Sequence, residues 1–382
     1  MTKFIGNELK YVSEVLESDM KSATSGSFTD RLEKTFAKKF GRHYGIAHNS
    51  GTSALHTCLL AAGVRKGDEV ISPALTVMMD TFATLYVQAI PVYADVNPKT
   101  FTIDPEEVKK KITKKTKAII AVHLYGLPAD MNPIMELAEE NDITVIEDSA
   151  QCYLSRYGYK LAGSIGHLAC FSFENSKHIS VGEGGMVLTD DEELGELVRK
   201  YGGLGFKNLT ASSGKVKLDE NIFQSPDFKR HDTVGYNYRL PELNSAVALA
   251  QLERLEELVA KRQAVASFYK EAIEGCDWLV PQETPKGYSN SYWTFAMQYE
   301  GVFGKSWHDI RSAYIKHGGD GFYAAWSVPY LEPAHEHAPV FVKCHVAENL
   351  QAKMMQLKTN YHDTGTAKQK AEALRKAIEE LK

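Results

Sequence analysis

The chain has 382 residues, of which 43% are hydrophobic and 24% charged, close to the composition of an average globular protein. At about 150 residues per domain, this length suggests two domains. The composition excludes a disordered, collagen-like or coiled-coil chain. The net charge of −5 argues against a nucleic-acid or anionic-lipid partner.

The apolar runs are too short to suggest a membrane protein. None approaches the ~18 residues that a membrane span needs, and the amino terminus lacks the apolar core of a signal peptide. The five cysteines are odd in number and none forms a CxxC pair, which is typical of reduced thiols. We therefore expect a cytoplasmic protein. The histidines give no convincing ligand spacing, so we predict no metal.

Short apolar runs alternate with helical stretches from residue 45 to about residue 190. Several runs are apolar throughout, which is typical of strands buried between two helical layers. This alternation predicts an α/β domain with a mostly parallel central sheet flanked by helices. The strands are predicted at residues 45–48, 69–72, 90–94, 118–123, 144–147, 168–173 and 186–189.

Helix-capping residues, a polar segment and the end of the strand–helix alternation predict the rest of the organisation. Asp104 with Pro105, and Asn132 with Pro133, predict helix starts. Residues 208–231 predict a long loop and residues 241–262 one amphipathic helix. The alternation then stops, and we predict strands at 293–299 and 322–326 and a closing helix at 368–381. The predicted division is a large α/β domain over residues 1–250 and a small α+β domain over residues 251–382.

The first chemical cluster is a glycine turn between a strand and an apolar helix, at residues 49–55. Free amides at the helix start, with the hydroxyls of Thr52 and Ser53, suit an anion next to Gly51. An ordinary capped helix explains this cluster equally well.

The second cluster places polar residues after an apolar strand, at residues 145–151. In open α/β sheets, ligands bind at the carboxyl edge of the strands. One of the carboxylates of Glu147 and Asp148 would suit a cationic ring nitrogen there, and Gln151 would reach a neighbouring oxygen. A helix cap would explain Asp148 but not the whole set.

The third cluster is Ser172 and Lys177, followed by a Gly-Glu-Gly-Gly turn at residues 182–185. A lysine in a sheet-edge loop among small polar residues suits Schiff-base chemistry. The glycine turn also fits a tight hairpin, and it matches neither a dinucleotide-binding nor a Walker motif.

Together these clusters resemble those of the DegT/DnrJ/EryC1/StrS family of pyridoxal-phosphate-dependent sugar aminotransferases, which share the fold type I of aspartate aminotransferase. The likeness is dense to about residue 260 and looser beyond it. Each motif is weak alone, whereas the set is specific. Further matching stretches lie at residues 123–126, 128–131, 235–239 and 242–246.

The resemblance implies pyridoxal 5′-phosphate as the cofactor, with Lys177 as its Schiff-base lysine. Asp148 would keep the pyridine nitrogen protonated, so that the ring acts as an electron sink. Gln151 would bond the ring hydroxyl oxygen. The residues implied for the phosphate are Gly51, Thr52, Ser53 and Ser172.

The resemblance also implies a homodimer with shared active sites. An asparagine of the partner subunit completes the phosphate site in this family, and Asn237 matches it. Arg239 and Tyr125 are expected next to the substrate. Val77 stands where the family carries an aromatic residue stacked on the cofactor ring, so we expect only aliphatic packing there.

The implied activity is transfer of the amino group of L-glutamate or glutamine to a keto-sugar, best matched by a nucleotide-linked keto-deoxysugar. Lys177 would act as general base and acid in a ping-pong mechanism, with its pKa lowered. The product would feed a surface polysaccharide, an O-antigen or a glycosylated metabolite.

Three alternatives compete with this reading. A keto-cyclitol acceptor is the nearest. A sugar dehydratase would carry histidine in place of Lys177. A cofactor-binding sensor or regulatory protein would not need both Lys177 and Asp148. For Trp326 and Tyr323, we expect a core aromatic cluster rather than stacking on a base or sugar.

Overall fold

The computed structural model describes residues 4–18, 20, 27–214, 218–302, 304–336 and 343–382. Its strands are β1 Tyr44–His48, β2 Glu69–Pro73, β3 Ile90–Ala94, β4 Thr116–Val122, β5 Thr144–Asp148, β6 Arg156–Tyr157, β7 Lys160–Leu161, β8 Leu168–Ser172, β9 Gly185–Thr189, β10 Leu279–Pro281, β11 Thr294–Tyr299 and β12 Met354–Lys358.

Within the described residues the strands form three sheets, the smallest being the pair β6-β7, and the helices pack on the other two. The helices are α1 Glu8–Glu17, α2 Ser27–Phe40, α3 Gly51–Ala61, α4 Met78–Tyr86, α5 Pro105–Lys111, α6 Met131–Asn141, α7 Glu192–Gly202, α8 Glu220–Gln224, α9 Glu242–Leu252, α10 Leu255–Ala272, α11 Trp307–Lys316, α12 His345–Lys353 and α13 Thr364–Leu381, with 3-10 turns at Leu124–Gly126, Pro329–Leu331 and Pro333–His335.

The large sheet has seven strands in the order β1-β9-β8-β5-β4-β2-β3. Strand β9 is antiparallel to both of its neighbours, and the other neighbouring pairs are parallel. The prediction of a mostly parallel sheet is confirmed, and the seven predicted strands lie within two residues of the observed ones.

Both faces of the large sheet are covered by helices, as expected from the apolar residues on both faces of its strands. In β4, Ala118 and Ile120 pack into one apolar cluster, whereas Ile119 and Ala121 pack into another. Successive side chains of a strand point to opposite faces, so this division places a helical layer on each side.

The smaller sheet, β10-β11-β12, is antiparallel and packs with α10, α11 and α13 around a separate apolar cluster. Residue 250 falls inside α9, which packs on the large sheet's cluster, and the separate cluster begins at Val265. The boundary at residue 250 stays a prediction.

The single helix predicted over residues 241–262 is wrong. The chain forms α9 and α10, with Glu253 and Arg254 between them. Leu252 and Leu255 still pack into the same apolar cluster. The apolar stripe therefore continues across the break, and its periodicity does not reveal the kink.

Three other local predictions need correction. Residues 322–326 form no strand; they make one isolated bridge, from Tyr323 to Gln356. The loop predicted at 208–231, of which residues 215–217 lie outside the described part, contains the short helix α8. Helix α6 begins at Met131, after Asp130, rather than at Asn132. Segments this short carry too little periodicity to set such boundaries.

All five cysteines are free and buried, in agreement with their interpretation as thiols. Over the described residues, we find neither a helix long and apolar enough to cross a bilayer nor a group of three or more metal-ligating side chains.

Candidate active site

Parallel strands bring the three predicted clusters to one edge of the large sheet. Strands β1, β5 and β8 run in the same direction, so the residues after their carboxyl ends meet there. These ends lead to the cluster that begins at Asn49, to Asp148, and to the loop that carries Lys177.

Gly51 lets the start of α3 approach the end of β8. A Cβ at this position would lie 2.9 Å from the Cβ of Ser172. The Ser50 hydroxyl accepts the Ser53 amide at 3.0 Å, and the Ser50 amide donates to the Ser53 hydroxyl at 3.1 Å. This cap leaves the amides of Gly51 and Thr52 without an acceptor within the described ranges, as expected for the first N–H groups of a helix. The capped-helix reading therefore holds, and two amides remain for an anion.

Asp148 ends β5 as a buried carboxylate at this edge. Its Oδ1 accepts the Ala150 amide at 2.9 Å, and the Cys170 thiol lies 3.6 Å from the same oxygen. These contacts hold the carboxylate in place on the ligand side of the strand.

Glu147 points to the opposite face, because neighbouring side chains of a strand alternate. Its Oε2 accepts from His123 Nε2 at 2.8 Å. Burial by itself would raise the pKa of Glu147, but the His123 hydrogen bond and the charges of His123 and Arg42 lower it overall. Of the two carboxylates that the sequence offers, Glu147 anchors the chain and Asp148 remains for a ligand. Glu147 also accepts the amides of Gly163, Ile165 and Gly166.

Gln151 and Tyr125 are joined by a hydrogen bond beside Asp148. The Tyr125 amide donates to Gln151 Oε1 at 2.8 Å. Tyr125 is fully buried with a left-handed backbone, at φ 62°, and its hydroxyl has no partner among the described residues. The two residues that sequence reasoning assigned to cofactor and substrate thus lie together.

Lys177 is partly buried in the loop between β8 and β9. Burial lowers the pKa of its amine, and the charges of Asp148 and Glu174 oppose that shift. A lowered pKa increases the fraction of neutral amine at neutral pH, which a nucleophile or general base needs.

An aromatic wall of Tyr125, Trp293 and Trp326 lines the site beside Lys177. The Lys177 Nζ lies 4.7 Å from the centre of the Trp293 ring, which stacks on Tyr125 at 6.5 Å and on Trp326 at 5.8 Å. Trp326 is 38% exposed and Tyr323 77%. The expectation that Trp326 and Tyr323 belong to a core cluster is wrong, because both side chains are exposed and Trp326 stacks on the rings of Tyr125 and Trp293.

Arg262 of α10 joins the Lys177 loop to the aromatic wall. It donates to the carbonyls of Ser176 at 2.7 Å, Lys177 at 2.9 Å and Trp293 at 2.7 Å. Sequence reasoning missed this residue, because a single arginine in an amphipathic helix looks like a solvated one.

Asp80 was also missed. It lies in the first turn of α4 with no exposed surface, and the Thr76 hydroxyl donates to its Oδ2 at 2.7 Å. The signal was available: a carboxylate in an otherwise apolar helix start. Val77, the residue before α4, is partly exposed.

Asn237 and Arg239 lie apart from the other predicted site residues of the same chain. Asn237 is exposed, and Arg239 Nε donates to its Oδ1 at 3.0 Å. Their segment runs beside the end of β1, where Arg239 bridges to His48. Within the described residues, no hydrogen bond joins either one to Lys177, Asp148 or Ser172.

The side chains at this edge fit pyridoxal phosphate. The free amides of Gly51 and Thr52 suit a phosphate, the buried Asp148 carboxylate suits a cationic ring nitrogen, and the Lys177 amine suits an aldehyde. Within the described residues, the buried Tyr125 hydroxyl has no hydrogen-bond partner, so it is available to a ligand.

Comparison with known proteins agrees with this geometry. GDP-perosamine synthase of Caulobacter vibrioides is 39% identical over 270 residues, covering 70% of this chain and 67% of the relative. GDP-perosamine synthase of Escherichia coli O157:H7 is 35% identical over 288 residues, covering 75% and 74%. The X-ray structure of the aminotransferase from Psychrobacter cryohalolentis has a TM-score of 0.88 at 28% identity, covering 100% of this chain and 98% of that one.

The fold and the site define a pyridoxal-phosphate-dependent aminotransferase of fold type I. The model of the DegT/DnrJ/EryC1/StrS aminotransferase family matches residues 3–371, and the chain belongs to that family. The predictions of fold class, enzyme class, family and cofactor are confirmed.

Proposed function

We propose that this enzyme transfers the amino group of L-glutamate or glutamine to a nucleotide-linked keto-deoxysugar. The observation that carries the proposal is the Lys177 amine, placed between the Asp148 edge and an aromatic wall. The Asp148 edge suits the cofactor, and the aromatic wall suits a sugar ring. The names of the two GDP-perosamine synthases support an acceptor that is a nucleotide sugar.

Lys177 carries the cofactor and moves the proton at the reacting carbon. Its burial favours the neutral amine, which accepts a proton and returns it as the ammonium form. Bound pyridoxal phosphate supplies an electron sink that stabilises negative charge at that carbon.

The other cofactor contacts follow from the same edge. Asp148 would pair with the ring nitrogen, and Gln151 would bond the ring hydroxyl. Gly51, Thr52, Ser53 and Ser172, at the start of α3 and the end of β8, would hold the phosphate.

A homodimer completes the site, with Asn237 of one subunit at the phosphate of the other and Arg239 near the substrate. Support comes from apolar side chains exposed around this segment. Val234, Tyr236 and Tyr86 are exposed, and the Tyr236 ring lies 4.9 Å from His56. We place the enzyme in the cytoplasm, where its free thiols stay reduced.

The test is the visible absorption spectrum of the full-length, cofactor-loaded enzyme before and after L-glutamate. Wild type should show a lysine-bound cofactor band that glutamate bleaches and a nucleotide keto-deoxysugar restores. Lys177→Ala should lack the band and lose at least ~10³-fold in turnover, because it removes both covalent binding and proton transfer.

Lys261→Ala is the matched control, since Lys261 lies nearby on α10 but pairs with Glu257 at the surface. It should behave as wild type. A Lys177→Ala enzyme with full multiple turnover would contradict the proposal, and restoration by a keto-cyclitol alone would correct the acceptor.

A further inference from the structure

A second buried carboxylate lies beside Asp148, and the chemistry above does not use it. Asp80 has no exposed surface, and its side chain is within hydrogen-bonding reach of the Asp148 carboxylate. The two residues come from different elements, α4 and β5, so the juxtaposition is created by the tertiary fold.

The two carboxylates differ in the donors around them. Asp148 Oδ1 accepts an amide and lies near a thiol, as described above. Asp80 Oδ2 accepts the Thr76 hydroxyl at 2.7 Å, but its Oδ1 has no partner in the described part of the chain. Within the described residues, Asp80 Oδ1 is therefore the carboxylate oxygen of this pair that is buried without a donor.

Electrostatics requires the pair to keep one proton. Two carboxylates in contact at a buried site cannot both ionise, and a buried anionic oxygen without a donor is costly. A proton on Asp80 Oδ1 removes both problems, because the resulting O–H has Asp148 as its acceptor. In agreement, burial and then the Asp148 charge raise the pKa of Asp80 well above its usual value.

The neighbouring titratable groups do not change this balance. Burial raises the pKa values of Tyr93 on β3, Cys58 on α3 and Cys170 on β8, so all three stay neutral near pH 7.

We infer that Asp80 is a positioning residue, whose carboxylic acid O–H donates to Asp148 and fixes that carboxylate toward the cofactor ring. The inference rests on the proposed role of Asp148. It explains why a carboxylate sits at a position where it would otherwise repel the one that the cofactor needs.

The first test uses the full-length, cofactor-free protein and Asp80→Asn, which cannot ionise but keeps an N–H donor. At neutral pH, the infrared band of a protonated carboxylic acid should be present in wild type and absent in the variant. Thr76→Val is the matched control and should keep the band, since it leaves Asp80 in place.

The pH dependence of the melting temperature gives a second readout on the same proteins. A raised pKa in the folded state means that wild type loses stability as pH rises above the usual aspartate value. The asparagine variant lacks this loss, so its advantage in melting temperature should grow between about pH 5 and 8. A band that persists in Asp80→Asn, or an advantage that does not change with pH, would overturn the inference.

Cofactor affinity then tests the positioning itself. Asp80→Asn should bind pyridoxal phosphate within about threefold of wild type, whereas Asp80→Leu should bind about tenfold more weakly, because Asp148 loses its donor. Equal affinity of a folded Asp80→Leu and wild type would refute positioning. Asp148→Asn tests the proposed function separately: if it binds as wild type does, the role of Asp148 fails whatever Asp80 does.

Discussion

The two sides of the active-site cleft are built in different ways. The cofactor side is the carboxyl edge of the large sheet, where Asp148 and Lys177 each follow a strand within a short motif. The proposed substrate side is the aromatic wall, whose Tyr125, Trp293 and Trp326 come from separate parts of the chain. Residues that follow strand ends can be predicted from local motifs, whereas residues that meet only through packing cannot.

The largest effect is expected on the cofactor side. Asp148→Asn removes the charge that favours a protonated ring, and a nearby opposite charge shifts a pKa by ~1–3 units. Turnover should fall roughly 100-fold or more, measured as kcat with saturating donor and acceptor. Glu147→Gln provides the contrast. It should lower the melting temperature, whereas the protein that remains folded should keep most of its turnover. The reverse pattern would exchange the roles of the two carboxylates.

An intermediate effect is expected at Arg262, which connects the two sides. Arg262→Lys leaves buried carbonyls of Ser176, Lys177 or Trp293 unpaired, at about 1–3 kcal/mol each. We expect a loss of about 2–4 kcal/mol in the free energy of unfolding, together with a lower kcat for both half-reactions.

The control for this variant is Arg375→Lys on α13, where an exposed arginine pairs with the exposed Glu372. It should change stability by less than about 1 kcal/mol. A loss confined to one half-reaction in Arg262→Lys would show that the arginine does not couple the two sides.

The smallest effect is expected on the substrate side. Trp326→Ala removes a half-exposed stacking surface worth about 0.5–1.5 kcal/mol. The KM for the acceptor should rise roughly 2- to 10-fold with the glutamate half-reaction unchanged, measured by separate single-turnover assays. Tyr323→Ala removes a side chain that is 77% exposed and stacks on no ring within the described residues, so it should leave both half-reactions unchanged. An equal loss in both half-reactions would place Trp326 on the cofactor side.

The sequence by itself determined the large sheet and the motifs at its edge. Apolar runs of five to seven residues identify strands such as β4 and β8, and polar residues directly after them point to the ligand edge. Alternation along a strand is local, and it did not say which of Glu147 and Asp148 faces the ligand, since both strand faces are buried; only the family resemblance assigned Asp148.

Only the tertiary structure decided the remainder. Asp80 lies 68 positions before Asp148, Arg262 reaches back to Lys177 from α10, and Trp326 stacks on rings from two other segments. No spacing rule joins residues so far apart, because their contacts depend on how helices pack on the sheet. For the same reason, the break between α9 and α10 left no mark on an apolar stripe that continues through it: packing selects which side chains meet, while periodicity records only which ones are buried.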